Sequence, residues 1–279
     1  MRIAIVADSH LAPDARAFNA NWAAVSAFVH REKADLTVHL GDITVDGLAD
    51  PAQFGHALDL SADWSTPIRY LPGNHDIGDN PPGAHVASKH PLDGSRLADF
   101  RAAFGPDYWA VDSDGWRVIG LNAQLFGTES DAEREQWAWI AELVARPRPL
   151  PLILMMHKPL FQDSPADEMP HHRYVPAIPR ARLVELLSRV SLRAVISGHT
   201  HQYRDRTVAG VRHIWVPSTA YYLPDEIQDR IGEKIVGVGV LELSRDAYRF
   251  QLVCPDGVER HSALDHPVYP ELAARARRP

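Results

Sequence analysis

Apolar and polar positions along this chain switch between two periods, and the switches predict an α/β order of elements. Ile3, Ala4, Ile5, Val6 and Ala7 form a near-continuous apolar run, the pattern of a strand buried on both faces. After the break at Pro13-Asp14, Trp22, Val25, Phe28 and Val29 recur at helical spacing, so the segment near 16–31 reads as an amphipathic helix. Leu36 to Leu40 gives a second strand, a helix follows Pro51, and Ile68, Tyr70 and Leu71 mark a third strand that stops at Pro72-Gly73.

Residues 77–115 have weaker periodicity, and Pro81-Pro82-Gly83 and Pro91 punctuate a long loop. Ser95 to Phe104 predicts a short helix, and Tyr108–Val111 with Trp116–Leu121 predicts a hairpin turning at Asp114-Gly115. A helix begins near Ser130, with Glu133 placed for a capping box and Trp137, Ile140 and Val144 on one face. Leu152 to Met156 forms the next strand, a loop rich in Pro, Asp and His spans 158–180, and Leu183, Leu186, Leu187 and Val190 mark another helix. Ala194 to Ile196 is a further strand, and the segments 207–208, 213–216, 235–243 and 248–253 suggest a C-terminal block of antiparallel strands. No internal repeat or linker interrupts the chain, so one domain over 1–270 is expected, followed by a solvated tail over 271–279.

Composition narrows the function classes. The 279 residues carry a net charge of -7, which offers no basic footprint for a nucleic-acid polymer or an anionic membrane surface. A single cysteine, Cys254, rules out an internal disulfide framework and fits a reducing compartment. The first apolar run is too short for a signal-peptide core, and no stretch approaches the roughly 18 apolar residues of a membrane span. A cytoplasmic location follows as the expectation.

The chemistry sits where the strands end. In order come Asp8-Ser9-His10, Gly41-Asp42, Gly73-Asn74-His75-Asp76, His157 and Gly198-His199-Thr200-His201. Each alone has a plain structural reading as a cap, a turn, a satisfied core histidine or a polar strand end. All five follow predicted buried strands, which makes independent coincidence a poor account. Together they offer imidazoles, carboxylates and an amide with no thiolate, a donor set suited to Fe, Mn, Zn or Co. Asn122 and the pair His171-His172 are weaker candidates for substrate contact, and Trp22, Trp137 and Trp139 read as packing residues.

With D-x-H, G-D, G-N-H-D, H and G-H-x-H in this order across residues 8–201, the sequence resembles the calcineurin-like metallophosphoesterases. The resemblance implies a four-layer αββα sandwich of two mixed sheets flanked by helices, with a two-metal centre at one rim. Carried over by position, Asp8, His10 and His201 hold one ion, Asn74, His157 and His199 hold the other, and Asp42 bridges them. His75 serves as donor or acid to the phosphoryl group, and Asp76 orients His75. A metal pair of this kind gives hydroxide at neutral pH and neutralises phosphoryl oxygens, which lets an acidic protein take a phosphate ester.

Purple acid phosphatases carry a tyrosine ligand three residues after the bridging aspartate, where this chain has Val45. The paired arginines of the long protein phosphatases have no clear counterpart in Arg69 and Arg101. The overall likeness is to the class III cyclic-nucleotide and glycerophosphodiester phosphodiesterases. The implied activity is hydrolysis of a small phosphodiester, against the alternatives of a phosphomonoesterase, a nucleotide pyrophosphatase or a non-catalytic scaffold. A small phosphate ester is the implied partner, and a homodimer is an expectation by analogy.

Overall fold

In the computed structural model, the described residues are 1–83, 86–147, 150–266, 268–270, 272 and 276. Of the tail set apart by sequence, 271, 273–275 and 277–279 therefore lie outside the described residues. The order is β1 (Arg2–Val6), α1 (Arg16–Glu32), β2 (Leu36–His39), α2 (Ala52–Ser61), β3 (Ile68–Tyr70), α3 (Asn74–Ile77), α4 (Gly94–Phe104), β4 (Trp109–Ser113) and β5 (Trp116–Leu121). There follow α5 (Asp131–Val144), β6 (Leu152–Met156), α6 (Ala177–Leu187), β7 (Leu192–Ser197), β8 (Arg204–Val208), β9 (Val211–Trp215), β10 (Tyr221–Tyr222), β11 (Val238–Ser244), β12 (Ala247–Val253) and β13 (His261–Ser262).

Two large mixed sheets result, ordered β12-β11-β1-β2-β3 and β4-β5-β6-β7-β9-β8. Period-two alternation within the apolar strands decides what each face meets. Ile3, Ile5 and Ala7 of the first sheet join Ile153, Met155, Ala194 and Ile196 of the second in one core between the sheets. Ala4 and Val6 turn the other way, onto Trp22, Val25 and Val29 of α1. Leu152, Leu154 and Met156 turn to Trp137 and Ile140 of α5 and to Leu183 and Leu187 of α6. These are the four layers, helix, sheet, sheet, helix. Each Val, Leu, Ile or Met side chain buried this way contributes on the order of 1.5–3 kcal/mol, so strands that are apolar on both faces are the ones found between two layers. Trp22 stacks on Trp64 at 4.3 Å, Trp137 is buried and Trp139 lies against Tyr108 at 5.3 Å, all as packing residues. Among the described residues no helix is long and apolar enough to cross a membrane.

The C-terminal strands do not form the block expected of them. The β8–β9 hairpin adds to the second sheet, with β9 parallel to β7, whereas β11–β12 adds to the first, with β11 antiparallel to β1. Periodicity reports that a segment is extended but not which open sheet edge it covers, and β1 and β7 each presented one. The capping box at α5 is also half realised. Ser130 Oγ accepts from Glu133 N at 3.2 Å, but the Glu133 carboxylate takes the amides of Gly127 and Glu129 and the Trp137 indole.

His213, on β9, lies buried with its ring 4.6 Å from that of Phe161. Burial, assisted by Arg206, pushes its pKa from 6.5 down to about 4. The neutral ring is the native form, so its contribution is complete above pH 6.5 and is lost as pH falls toward 4, where the unfolded chain binds the extra proton. Relative to His213→Phe, the wild-type protein should lose about 2–3 kcal/mol of unfolding free energy between pH 7 and pH 4. Urea unfolding at the two pH values measures this, and parallel pH profiles for the two proteins would refute it.

Candidate metal centre

The candidate ligands stand just beyond the carboxyl ends of their strands. Asp8 and His10 follow β1, Asp42 follows β2, Asn74 opens α3 after β3, His157 follows β6, and His199 and His201 follow β7. The first four therefore come from one sheet and the last three from the other. Their backbone is unusual. Asp8, His10, Asp42, His199 and His201 have φ of 52°, 46°, 52°, 67° and 52°, a left-handed conformation that costs about 1 kcal/mol or more per residue. With this backbone after the strand ends, the side chains converge on one another. The motif glycines permit the loops to close. A Cβ on Gly73 would stand 2.1 Å from Asp42 Oδ1, and one on Gly41 (φ 107°) would stand 2.7 Å from His157 Nδ1.

Two donor groups form, Asp8–His10–Asp42–His201 and Asp42–His157–His199, each with ligand atoms within 4.8 Å of one another. Asp42 belongs to both. In the first, His10 Nε2 is 3.3 Å from His201 Nε2, which is 3.5 Å from Asp8 Oδ1. In the second, His157 Nε2 is 3.4 Å from Asp42 Oδ2, 3.3 Å from Asn74 Oδ1 and 3.0 Å from His199 Nδ1. The outer ring nitrogens are tied down. His157 Nδ1 donates to Leu40 O and His201 Nδ1 donates to Tyr221 O, each at 3.0 Å, which leaves Nε2 as the nitrogen facing the cluster, able to act as a ligand in the neutral ring. Asp8 is held by the His199 amide at 2.9 Å.

The electrostatics suit a cation. Burial, with His75 next, holds His10 well below the ordinary imidazole range. Burial and the neighbouring His157 do the same for His199. For His157 burial acts downward, but Asp42 overcomes it and pushes the ring up to about 9. Asp42 correspondingly stays ionised, burial being outweighed by His157, His75 and His10. His199 Nε2 is buried with no hydrogen-bond partner among the described residues. Converging nitrogen and oxygen lone pairs, no sulfur and a shared carboxylate fit a pair of Fe, Mn, Zn or Co ions.

Asn74, His75 and His199 are half-buried, so they line the open side of the cluster. His75 stands with its ring 4.8 Å from that of His10, near perpendicular. Its amide donates to Asp42 Oδ1 at 2.9 Å and its Nδ1 donates to Val45 O at 2.7 Å. Asp76 does not orient His75 as the resemblance implies. Its carboxylate accepts from Ile43 N, Thr44 N, Thr44 Oγ1 and Gly73 N, at 2.8–3.2 Å, whereas the His75 ring bonds to Val45 O. The Gly73–Asp76 stretch is not an open loop but one turn of helix with Asp76 reaching back to the first amide. Consecutive side chains on such a turn point about 100° apart, so neighbours in sequence serve different partners. Burial and the Asp42 charge push the Asp76 pKa up to about 6 despite those bonds.

Sequence reasoning passed over several residues that hold the ligands. His39 Nδ1 accepts from Gly41 N at 3.2 Å and its Nε2 pairs with Ser9 Oγ at 2.8 Å, pinning the first two ligand loops together. A histidine inside an apolar strand was the available signal. Lys158 is fully buried, with its ammonium on Asp79 and Asn80 Oδ1. Tyr221 and Tyr269 approach His10 from the C-terminal region, and nothing in their sequence surroundings marks them. Asn122 is structural, its side chain bonded to Asp107 Oδ2 and Gln124 N. The rings of His171 and His172 stack on each other at 4.7 Å.

The sequence profile of the calcineurin-like phosphoesterases matches residues 1–203. A Psychrobacter arcticus protein named as a probable cyclic nucleotide phosphodiesterase is 27% identical over 199 residues, covering 68% of this chain and 64% of that one. CPPED1 of Mus musculus, a serine/threonine-protein phosphatase, is 24% identical over 205 residues, covering 71% and 61% respectively. The chain thus spans less than two thirds of the length of either relative. Among solved structures, a dimetal phosphatase from Danio rerio shares the fold with a TM-score of 0.59 at 15% identity, over 90% of this chain and 95% of that one.

Proposed function

Since the chain belongs to the calcineurin-like phosphoesterase family, we propose that it hydrolyses a small phosphodiester, of the cyclic-nucleotide or glycerophosphodiester type, at a two-metal centre. Asp8, His10 and His201 hold one ion in this reading, Asn74, His157 and His199 hold the other, and Asp42 is shared. The observation that carries it is the membership of Asp42 in both donor groups. A carboxylate common to two clusters is what a pair of adjacent ions requires. Such ions, when bound, supply Lewis-acid activation of water and neutralise phosphoryl charge.

The chain's own groups supply orientation and a proton. With Nδ1–H donated to Val45 O, His75 turns Nε2 to the half-exposed rim, where the doubly protonated ring can donate its Nε2 proton to an ester oxygen. Its amide bond to Asp42 couples its position to the shared carboxylate. Asn74 brings a neutral oxygen, which adds a ligand without adding negative charge that would repel a phosphate.

Hydrolysis of matched aryl phosphate mono- and diesters by Mn-reconstituted protein tests the proposal. A diester preference is expected, absent in Asn74→Ala. His75→Ala should keep its metal while turnover of bis-p-nitrophenyl phosphate falls about 10²–10⁴-fold; unchanged turnover would remove His75 from the reaction. A monoester reading has one specific support, the likeness to a mouse protein named as a phosphatase, and a monoester preference in the same assay would favour it.

A further inference from the structure

We propose that Tyr269 is a positioning residue for His10, so that a segment beyond the matched family region completes the metal centre. The inference rests on the metal-binding reading above. His10 turns Nε2 toward His201 Nε2, at 3.3 Å, which makes Nδ1 its outer nitrogen. The other two fixed rings give that nitrogen to main-chain carbonyls, of Leu40 and Tyr221. His10 gives it to a phenol, with Tyr269 Oη at 2.6 Å. A ring that offers Nε2 as a lone pair carries its proton on Nδ1 and donates it to Oη. The phenol proton then points to Val45 O, 3.4 Å away, the same carbonyl that accepts from His75 Nδ1.

Tyr269 is 5% exposed and packs with Ala15, Phe18, Val45, Tyr221 and Ala263. Its ring lies 5.7 Å from those of both His10 and His75, and 5.5 Å from that of Tyr221. Hydrophobic packing alone would be met by phenylalanine. The hydroxyl is what ties the outer face of one candidate ligand to the carbonyl that fixes the candidate acid. It arrives from beyond residue 203, where the family match ends, after the short β10–β13 pairing has brought the chain back to the rim. Partners of this kind on a ligand histidine are worth about 10–100-fold in metal affinity.

The test is chelator-competition titration of the full chain with Co(II), read by visible absorption at one pH. Tyr269→Phe is expected to lower affinity about 10–100-fold at one of the two sites, alter the bands of that site and leave the other unchanged. The melting temperature of the metal-free protein should match wild type, since packing is retained. Two Co(II) bound with wild-type affinities and spectrum would overturn the proposal. Should the metal-free variant melt lower, the His10→Gln background decides. No further loss of Co(II) affinity on adding Tyr269→Phe supports action through His10, whereas an equal loss in both backgrounds refutes it. Wild-type protein that takes up no Co(II) refutes the metal reading itself, and does so without any Tyr269 variant.

Discussion

Asp42→Asn is expected to reduce bound metal from two equivalents to one or fewer and to lower diester turnover by on the order of 10³-fold. The substitution keeps the side chain's shape and one acceptor oxygen. It removes the charge that two donor groups share and that holds His157 protonated in the absence of metal. Two adjacent cations repel one another, and a neutral amide between them offsets little of that repulsion, so the second ion should be the first to go. Metal content after dialysis against Mn(II), measured beside hydrolysis of bis-p-nitrophenyl phosphate, reads both consequences. Retention of two equivalents with normal turnover would show that Asp42 is not the shared ligand.

Asp76→Ala is expected to destabilise the metal-free fold by about 4 kcal/mol or more, a large share of the roughly 5–15 kcal/mol available to a domain. Three backbone amides, Ile43, Thr44 and Gly73, lose a buried acceptor together, along with the Thr44 hydroxyl. Each buried donor left unsatisfied costs about 1–3 kcal/mol. Asp76→Asn retains an acceptor oxygen and should recover part of the loss. Urea unfolding of the three proteins without metal measures it. A difference under about 1 kcal/mol for the alanine variant would mean that the Gly41–Thr44 loop is held by something else.

Asp76 also shows where the sequence stopped being legible. The strand-exit motifs could be read because each combines a local apolar run with a reactive residue type, both of which are properties of neighbouring positions. Asp8, His10, Asp42, Asn74, His157, His199 and His201 were all found that way and all come together at one rim. Roles that depend on what faces a residue across space were not readable. Asp76 sits beside His75 in sequence but serves a loop more than thirty positions away. The carbonyl of Val45 orients His75, and a carbonyl leaves no trace in residue type. Tyr269 lies in a stretch whose pattern announces nothing, and the C-terminal strands announce extension without naming their sheet. The positive-φ backbone of the ligands was equally silent, because aspartate and histidine tolerate that region without the glycine that would have marked it.

The pairing of β1 has a consequence for how this chain is made. Arg2 to Ile5 lie between β2, which follows soon after, and β11, whose partners Gly239 to Glu242 come far later in the chain. At ribosomal rates of about 5–20 residues per second, roughly 10–40 seconds separate synthesis of the two neighbours. Throughout that interval the nascent chain holds β1 with one side unmatched, a surface open to the wrong strand or to another nascent chain. The growing chain therefore depends on much later residues to close β1, and a ribosome stalled before residue 238 leaves a product that cannot complete the sheet around it.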